Sequence, residues 1–274
     1  MKSPKLKIGI VGCGAIGTSL ARAIVSNFSD KAELASLYDI DREKAYRLSS
    51  VLKTKKIVAL NLDDLINNVE LVIEAASSKS SYEIAKKSLS ASKDIMIMSV
   101  GGIAEHYKEL FILAKERNVK LYIPSGAICG LDGLKAAAAG RVQKVTLTTK
   151  KPPSAFKGVA FVLKKKINLD QLKEDTVLFE GSALSAIKYF PANINVAATV
   201  SIFGLGLQET SVKIIAVPNS TRNIHEIEID SDAGKIFTRT ENVVHPDNPK
   251  TSFLAVRSAL AMLKEILGSV KIGT

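Results

Sequence analysis

Residues 12–17 read Gly-Cys-Gly-Ala-Ile-Gly, a G-x-G-x-x-G pattern. It follows the apolar run Leu6 to Val11 and opens Ala15 to Asn27, where Ile16, Leu20, Ala23 and Ile24 recur at helical spacing. Strand, glycine turn and helix in that order commit the first half of the chain to a parallel α/β arrangement. Gly12 permits the tight turn, Gly14 lets backbone approach a pyrophosphate, and Gly17 lets the helix pack on the strand. Ala15 and Ile16 begin the helix, whose first amides and partial positive charge suit phosphate. A second strand ends at Asp39, about twenty residues on, where a carboxylate can accept from the adenosine ribose hydroxyls. NAD is therefore the expected cofactor. Arg42 lies three residues further and can accommodate a 2′-phosphate, so NADP stays open.

The rest of this half alternates strands with helices. Strands are expected at Glu33 to Tyr38, Lys56 to Leu60, Leu71 to Glu74, Asp94 to Ser99 and Lys120 to Ile123. Helices are expected at Arg42 to Lys53, Asp63 to Asn67, Ser80 to Ser90 and Ala104 to Arg117. This predicts a Rossmann-type, doubly wound parallel sheet over residues 1–124. Ala75, Ala76 and Ser77 follow the Leu71 strand at the carboxyl end of the sheet, where small residues let a cofactor lie flat.

The pattern changes after Pro124. Val142 to Lys150 alternates like a strand with one wet face, and Ser211 to Val217, Asn223 to Ile229 and Lys235 to Arg239 are further strands. A mostly antiparallel sheet in an α+β domain over residues 125–249 is the expectation. Ser252 to Leu267 has a helical apolar stripe, so a C-terminal helix within 250–274 is expected to dock back on the first domain.

Composition narrows the partners. The 274 residues are 46% hydrophobic with a net charge of +11, from 38 basic and 27 acidic side chains. The lysines are scattered in pairs and one triplet, without a basic stripe interleaved with aromatics, so no nucleic-acid partner is expected. Two cysteines, Cys13 and Cys129, cannot build a disulfide framework or a zinc cluster; no metal and a cytoplasmic location follow. No apolar stretch of about 20 residues is present, so no membrane span is expected.

Three histidines are candidates for acid–base work. His225 shares strand parity with Ile227 and Ile229 while Glu226 and Glu228 point the other way, which places it on an inner face. It is the expected catalytic residue; a satisfied core histidine is the alternative. His106 reads as surface within a helix, and His245 as a loop residue. Asn193 and Asn195 precede an apolar helix, one of them able to cap it. Asn248 to Ser252 is expected to open the last helix, where free amides, Lys250 and Thr251 would make a carboxylate site unless they serve only as a cap.

With these residues the chain resembles the L-aspartate dehydrogenase family. The matching stretches are Gly12 to Gly17, Glu74 to Ala76, Ser99 to Gly102, Pro124 to Ile128, Phe190 to Ala198, Asn223 to His225 and Asn248 to Ser252. The resemblance implies a usually dimeric enzyme oxidising L-aspartate to iminoaspartate with NAD or NADP, at the start of NAD biosynthesis, with catalysis and dimerisation in the domain over residues 125–249. It places the active-site histidine on His225, and cofactor contacts near Ala127 and on Asn193 or Asn195. Substrate contacts are expected from Asn195, His225, Lys250 and Thr251. The alternatives are a homoserine dehydrogenase or dihydrodipicolinate reductase type, or an NAD-binding sensor without turnover.

Overall fold

The computed structural model describes residues 4–54, 57–190, 194–245 and 248–273. The chain forms two compact units: Met1–Pro124 with Val256–Lys271, and Ser125–Ala255 with Ile272–Thr274.

In the first unit β1 (Leu6–Val11), β2 (Ala32–Tyr38), β3 (Leu71–Glu74), β4 (Asp94–Ile97) and β5 (Leu121–Tyr122) make one parallel sheet in the order β2-β1-β3-β4-β5. Helices α1 (Ala15–Asn27), α2 (Arg42–Val51), α3 (Leu62–Asn67), α4 (Ser81–Ser90) and α5 (Tyr107–Glu116) connect them. Strand residues such as Ile8, Ile10, Ile73 and Ile95 to Ile97 are wholly buried, as expected of a parallel sheet. Of the strand expected at Lys56 to Leu60, Lys56 lies outside the described residues and the remainder makes one parallel bridge, Val58 to Leu37. Leu37 N–H donates to Ile57 O and its carbonyl accepts from Ala59 N–H, so the segment lies beside β2. Counting it, the order is that of a six-position Rossmann sheet whose direction of travel reverses between β1 and β3. The crevice outside the carboxyl ends of those two strands is where such folds bind ligands.

In the second unit β6 (Val142–Lys151), β7 (Thr176–Ser182), β8 (Ser211–Ala216), β9 (Asn223–Ser231) and β10 (Gly234–Asn242) form a sheet in the order β10-β9-β6-β8-β7. The pairs are antiparallel except β6 with β8. Helices α6 (Leu131–Ala138), α7 (Ala160–Lys164), α8 (Ala183–Tyr189) and α9 (Asn195–Phe203) belong to the same unit. Strand β7 was not expected from sequence. A register shift between Val177 and Phe179 buries Leu178 and Phe179 together, which erases the two-residue period.

Two hairpin strands, β11 (Val244–His245) and β12 (Asn248–Ser252), precede the last helix, α10 (Phe253–Ile266). Ala259 and Leu263 of α10 are buried in the core of the first unit. The segment from Asn248 to Ser252 is thus strand backbone, and the helix begins after it. The expectation that these residues open the last helix is thereby corrected, while the side chains of Lys250 and Thr251 lie outside the described residues.

Candidate active site

The loop from Gly12 to Gly17 in the first unit holds three glycines, each in a different steric setting. Gly12 sits at φ +99°, and a Cβ there would lie 2.4 Å from Ala75 O. A Cβ on Gly17 would lie 1.9 Å from Gly12 O. Gly14 is different: its φ of −75° suits any residue, and nothing lies within 4 Å of where its Cβ would be. The fold itself does not require glycine at 14. The first intrahelical donor of α1 is Thr18 N–H, bonded to Gly14 O, which leaves the amides of Ala15, Ile16 and Gly17 outside the helical ladder. These donors and the open face at Gly14 fit a dinucleotide pyrophosphate.

Asp39 holds this loop. Its Oδ2 accepts from Cys13 N–H at 2.8 Å and its Oδ1 from Asp41 N–H at 2.9 Å, so the carboxylate is fixed beside the cradle. The Cys13 side chain turns away from the cradle: it is buried, with Sγ 3.9 Å from Tyr38 O. Burial, then the Asp39 charge, push its thiol up to about 12.

Glu74, at the end of β3, ties the neighbouring loops together. It is fully buried; Oε1 accepts from Ala76 N–H and Oε2 from Ser99 N–H, both at 2.9 Å. Burial raises its pKa against the pull of these hydrogen bonds. Ala76 and Ser77 are exposed beyond it and Ala75 is half-buried. Sequence reasoning quoted Glu74 without giving it a role. A carboxylate ending an otherwise apolar parallel strand was the available signal.

The second unit has a sheet face that is apolar at one end and polar at the other. On β6 the inner row runs Val145, Leu147, Thr149, Lys151; on β9 it runs Ile229, Ile227, His225, Asn223; on β10 it runs Ile236, Thr238, Thr240, Asn242. Register aligns Thr149, His225 and Thr240 across the three strands. His225 is buried, as its strand parity predicts, and its Nδ1 is hydrogen-bonded to Thr149 Oγ1 at 3.0 Å. Burial, then the nearby Lys151 charge, push the imidazole down to about 3. It is therefore neutral at physiological pH and a weak base. Burial also pushes Lys151 down to about 8. Thr149, Lys151, Thr240 and Asn242 were missed in sequence, although Lys151 continues the apolar parity of Val145 and Leu147.

Ala127 carries a carbonyl held by two side chains of β10. Asn242 Nδ2 donates to it at 2.9 Å and Thr240 Oγ1 at 3.2 Å. Asn195 opens α9 with an exposed side chain, and the helix cap is Ile194. Asn193 lies outside the described residues, as do the side chains of His245, Lys250 and Thr251. His106 is exposed and stacks on Tyr82 with ring centroids 4.3 Å apart; it immediately precedes α5, which starts at Tyr107 and not at Ala104. Among the described residues no group of three or more His, Cys, Asp or Glu is placed to hold a metal ion, and no helix is long and apolar enough to cross a membrane.

Residues 132–266 match the family model "Aspartate dehydrogenase, C-terminal", and residues 12–124 match "Homoserine dehydrogenase, NAD binding domain". The chain is 48% identical to the L-aspartate dehydrogenase of Methanosarcina mazei over 271 residues, covering 98% of this chain and 100% of the relative. It is 41% identical to that of Methanocaldococcus jannaschii, with the same coverage. The crystal structure of aspartate dehydrogenase from Thermotoga maritima superposes with a TM-score of 0.73 at 28% identity, covering 98% of this chain and 100% of that one. A hyperthermophilic archaeal homoserine dehydrogenase in complex with NADPH shares the fold, with a TM-score of 0.62 at 14% identity, covering 96% and 98%.

Proposed function

The chain belongs to the L-aspartate dehydrogenase family, and on that premise we propose that it oxidises L-aspartate to iminoaspartate, which water then converts to oxaloacetate and ammonia. In this reading the iminoaspartate feeds NAD biosynthesis. The bound nicotinamide supplies the hydride acceptor, NAD or NADP. Gly12, Gly14, Ala15, Ile16 and Gly17 hold its pyrophosphate, Asp39 its ribose, and Ala75, Ala76, Ser77, Ala127 and Asn195 the remainder. His225 and Asn195 bind substrate. A neutral His225, fixed through Nδ1 by Thr149, can orient the substrate or the water that attacks the imine by hydrogen bonding.

The observation that carries the reading is the open cradle at Gly14, a glycine the fold itself does not need. The reducing location of the proposed enzyme, the cytoplasm, is supported by its two free cysteines, Cys13 and Cys129. A homodimer belongs to the same reading and is tested by sedimentation. The deciding assay follows NADH absorbance with purified protein. Aspartate should be turned over far better than asparagine or alanine, because a site built to pair a charge rejects an analogue that leaves its own groups unpaired. Better turnover of aspartate semialdehyde with NADPH would assign a homoserine-dehydrogenase-type reaction. Saturable NAD binding with no turnover would indicate a sensor.

A further inference from the structure

On the inner face of the second unit's sheet, Thr149 of β6 and His225 of β9 stand directly opposite each other across an antiparallel pair. Both are buried, 3% and 4% exposed, and Thr149 Oγ1 lies 3.0 Å from His225 Nδ1. The hydroxyl on the other flank is committed elsewhere. Thr240 of β10 faces His225 across the next pair, and its Oγ1 donates toward two carbonyls, Ala127 O at 3.2 Å and His225 O at 3.4 Å. Among the described residues the imidazole is thus gripped at Nδ1 by one hydroxyl, and Nε2 is the nitrogen left to meet a ligand.

Proton accounting decides which way that contact runs. A hydroxyl has one hydrogen to donate, and a neutral imidazole has one N–H and one lone pair. If Nδ1–H donated to Thr149, the hydroxyl hydrogen would need a second acceptor. Among the described residues His225 is the one hydrogen-bond partner of Thr149 Oγ1, in a side chain all but closed to water. An unpaired O–H there disfavours this arrangement by roughly 5- to 150-fold. If Thr149 donates to Nδ1, both groups are satisfied and the ring proton sits on Nε2.

We propose that Thr149 is a positioning residue that fixes the tautomer of His225: its hydroxyl donates to Nδ1, so that Nε2 keeps the proton and His225 meets a substrate carboxylate as a hydrogen-bond donor, not as a base. The carboxylate rests on the aspartate-oxidising reading above; the tautomer does not. An ionised carboxylate only accepts, so it pairs with Nε2–H and is repelled by a bare nitrogen lone pair. Burial, then the Lys151 charge, hold the ring at about 3, so the same neutral donor is present throughout the physiological range.

The test joins ¹⁵N spectra of the histidine rings to kinetics with aspartate in the wild type, Thr149→Val, Thr149→Ser and His225→Gln. The chain has three histidines, and the His225 signals are those missing from His225→Asn. The wild type should show one tautomer, Nδ1 bare and Nε2 protonated. Thr149→Val should show a mixture of tautomers and raise KM about two- to tenfold with kcat little changed, because only the fraction with Nε2–H binds well. Thr149→Ser should restore both the spectrum and KM. Glutamine at 225 carries its N–H donor further out than asparagine and cannot act as a base. His225→Gln should therefore keep kcat within about tenfold of the wild type, where loss of a general base costs about 10²–10⁴-fold. Folding is controlled by NADH fluorescence titration and melting temperature on each preparation. A wild-type proton on Nδ1 overturns the inference, and so does a Thr149→Val protein with the wild-type spectrum and KM. A loss of base-like size in His225→Gln, or a Thr149→Val effect confined to kcat, overturns the donor role. A wild type that oxidises no aspartate overturns the functional reading and the carboxylate with it, while the spectra still judge the tautomer.

Discussion

Gly14→Ala separates what the fold needs from what a ligand needs. The new Cβ meets nothing within 4 Å, and the backbone at φ −75° is ordinary for alanine. Two small effects oppose each other. Alanine is a poorer N-cap than glycine by about 0.5–1 kcal/mol. It also reduces unfolded-chain entropy, which stabilises by about 0.4–1 kcal/mol. The net change should lie within about 1 kcal/mol, or roughly 3 °C in melting temperature. The methyl group nevertheless occupies the approach of the pyrophosphate to the loop amides. Losing one charge-assisted hydrogen bond there costs about 1.5–3 kcal/mol, which is roughly 10- to 150-fold in Kd. Gly12→Ala and Gly17→Ala are the controls. Their Cβ atoms would sit 2.4 Å from Ala75 O and 1.9 Å from Gly12 O, backbone atoms that cannot easily move aside. Each should lower stability by about 2–5 kcal/mol through overpacking, with positive φ adding to the cost at Gly12. Thermal melts paired with NADH fluorescence titrations read both quantities. A Gly14→Ala protein that binds NADH like the wild type would refute the claim that this glycine is kept for a dinucleotide.

Asp39→Ala should weaken NAD at least about tenfold and NADP less, because a ribose acceptor and a charge opposing a 2′-phosphate leave together; equal losses in paired titrations would count against ribose recognition. Glu74→Gln keeps one acceptor but turns an NH₂ toward either Ala76 N–H or Ser99 N–H. It should cost about 3 kcal/mol, or roughly 6–12 °C in melting temperature. NAD affinity should also fall although Glu74 is buried beneath the loop, and an unchanged melt would remove its clamping role. His225 gives the pH test of stability. Its folded pKa, about 3, lies below its ordinary 6.5, so the unfolded chain binds the proton more tightly and stability is lost as pH falls below about 6.5. At pH 5 the loss should be about 2 kcal/mol at about 1.4 kcal/mol per pH unit. Melts from pH 8 to 4 should fall more steeply for the wild type than for His225→Asn, and parallel curves would mean the imidazole is not buried in its neutral form.

The Rossmann half was legible because each of its signals is local. Gly12 and Gly14 lie between a buried strand and an amphipathic helix, Gly17 sits in that helix's first turn, and Asp39 directly follows the next strand. Where pairing depended on partners far along the chain, sequence said less. The segment around Val58 has strand composition, yet among the described residues it forms one bridge, to Leu37. Strand β7 hid because its register shift destroys alternation. The stretch from Asn248 to Ser252 reads as a helix start from its Asn-Pro and hydroxyl residues, but pairing with Val244 and His245 draws it into a hairpin.

The chemistry of the second unit divides in the same way. Parity alone placed His225 on the inner face, since alternation with Ile227 and Ile229 is a property of one strand. Its protonation depends on a second strand. Thr149 arrives from β6 to hold Nδ1, and Lys151 comes with it on the same parity. Sequence read that lysine as half of a solvated pair, because Lys150 and Lys151 are adjacent and chemically identical. Adjacency in a strand means opposite faces, so one lysine meets Glu226 and the other is half-buried on the row that carries Thr149. A strand that has one buried face and ends in two lysines therefore carries one of them on that face. Burial penalises the charge of that inner lysine and pushes it down to about 8.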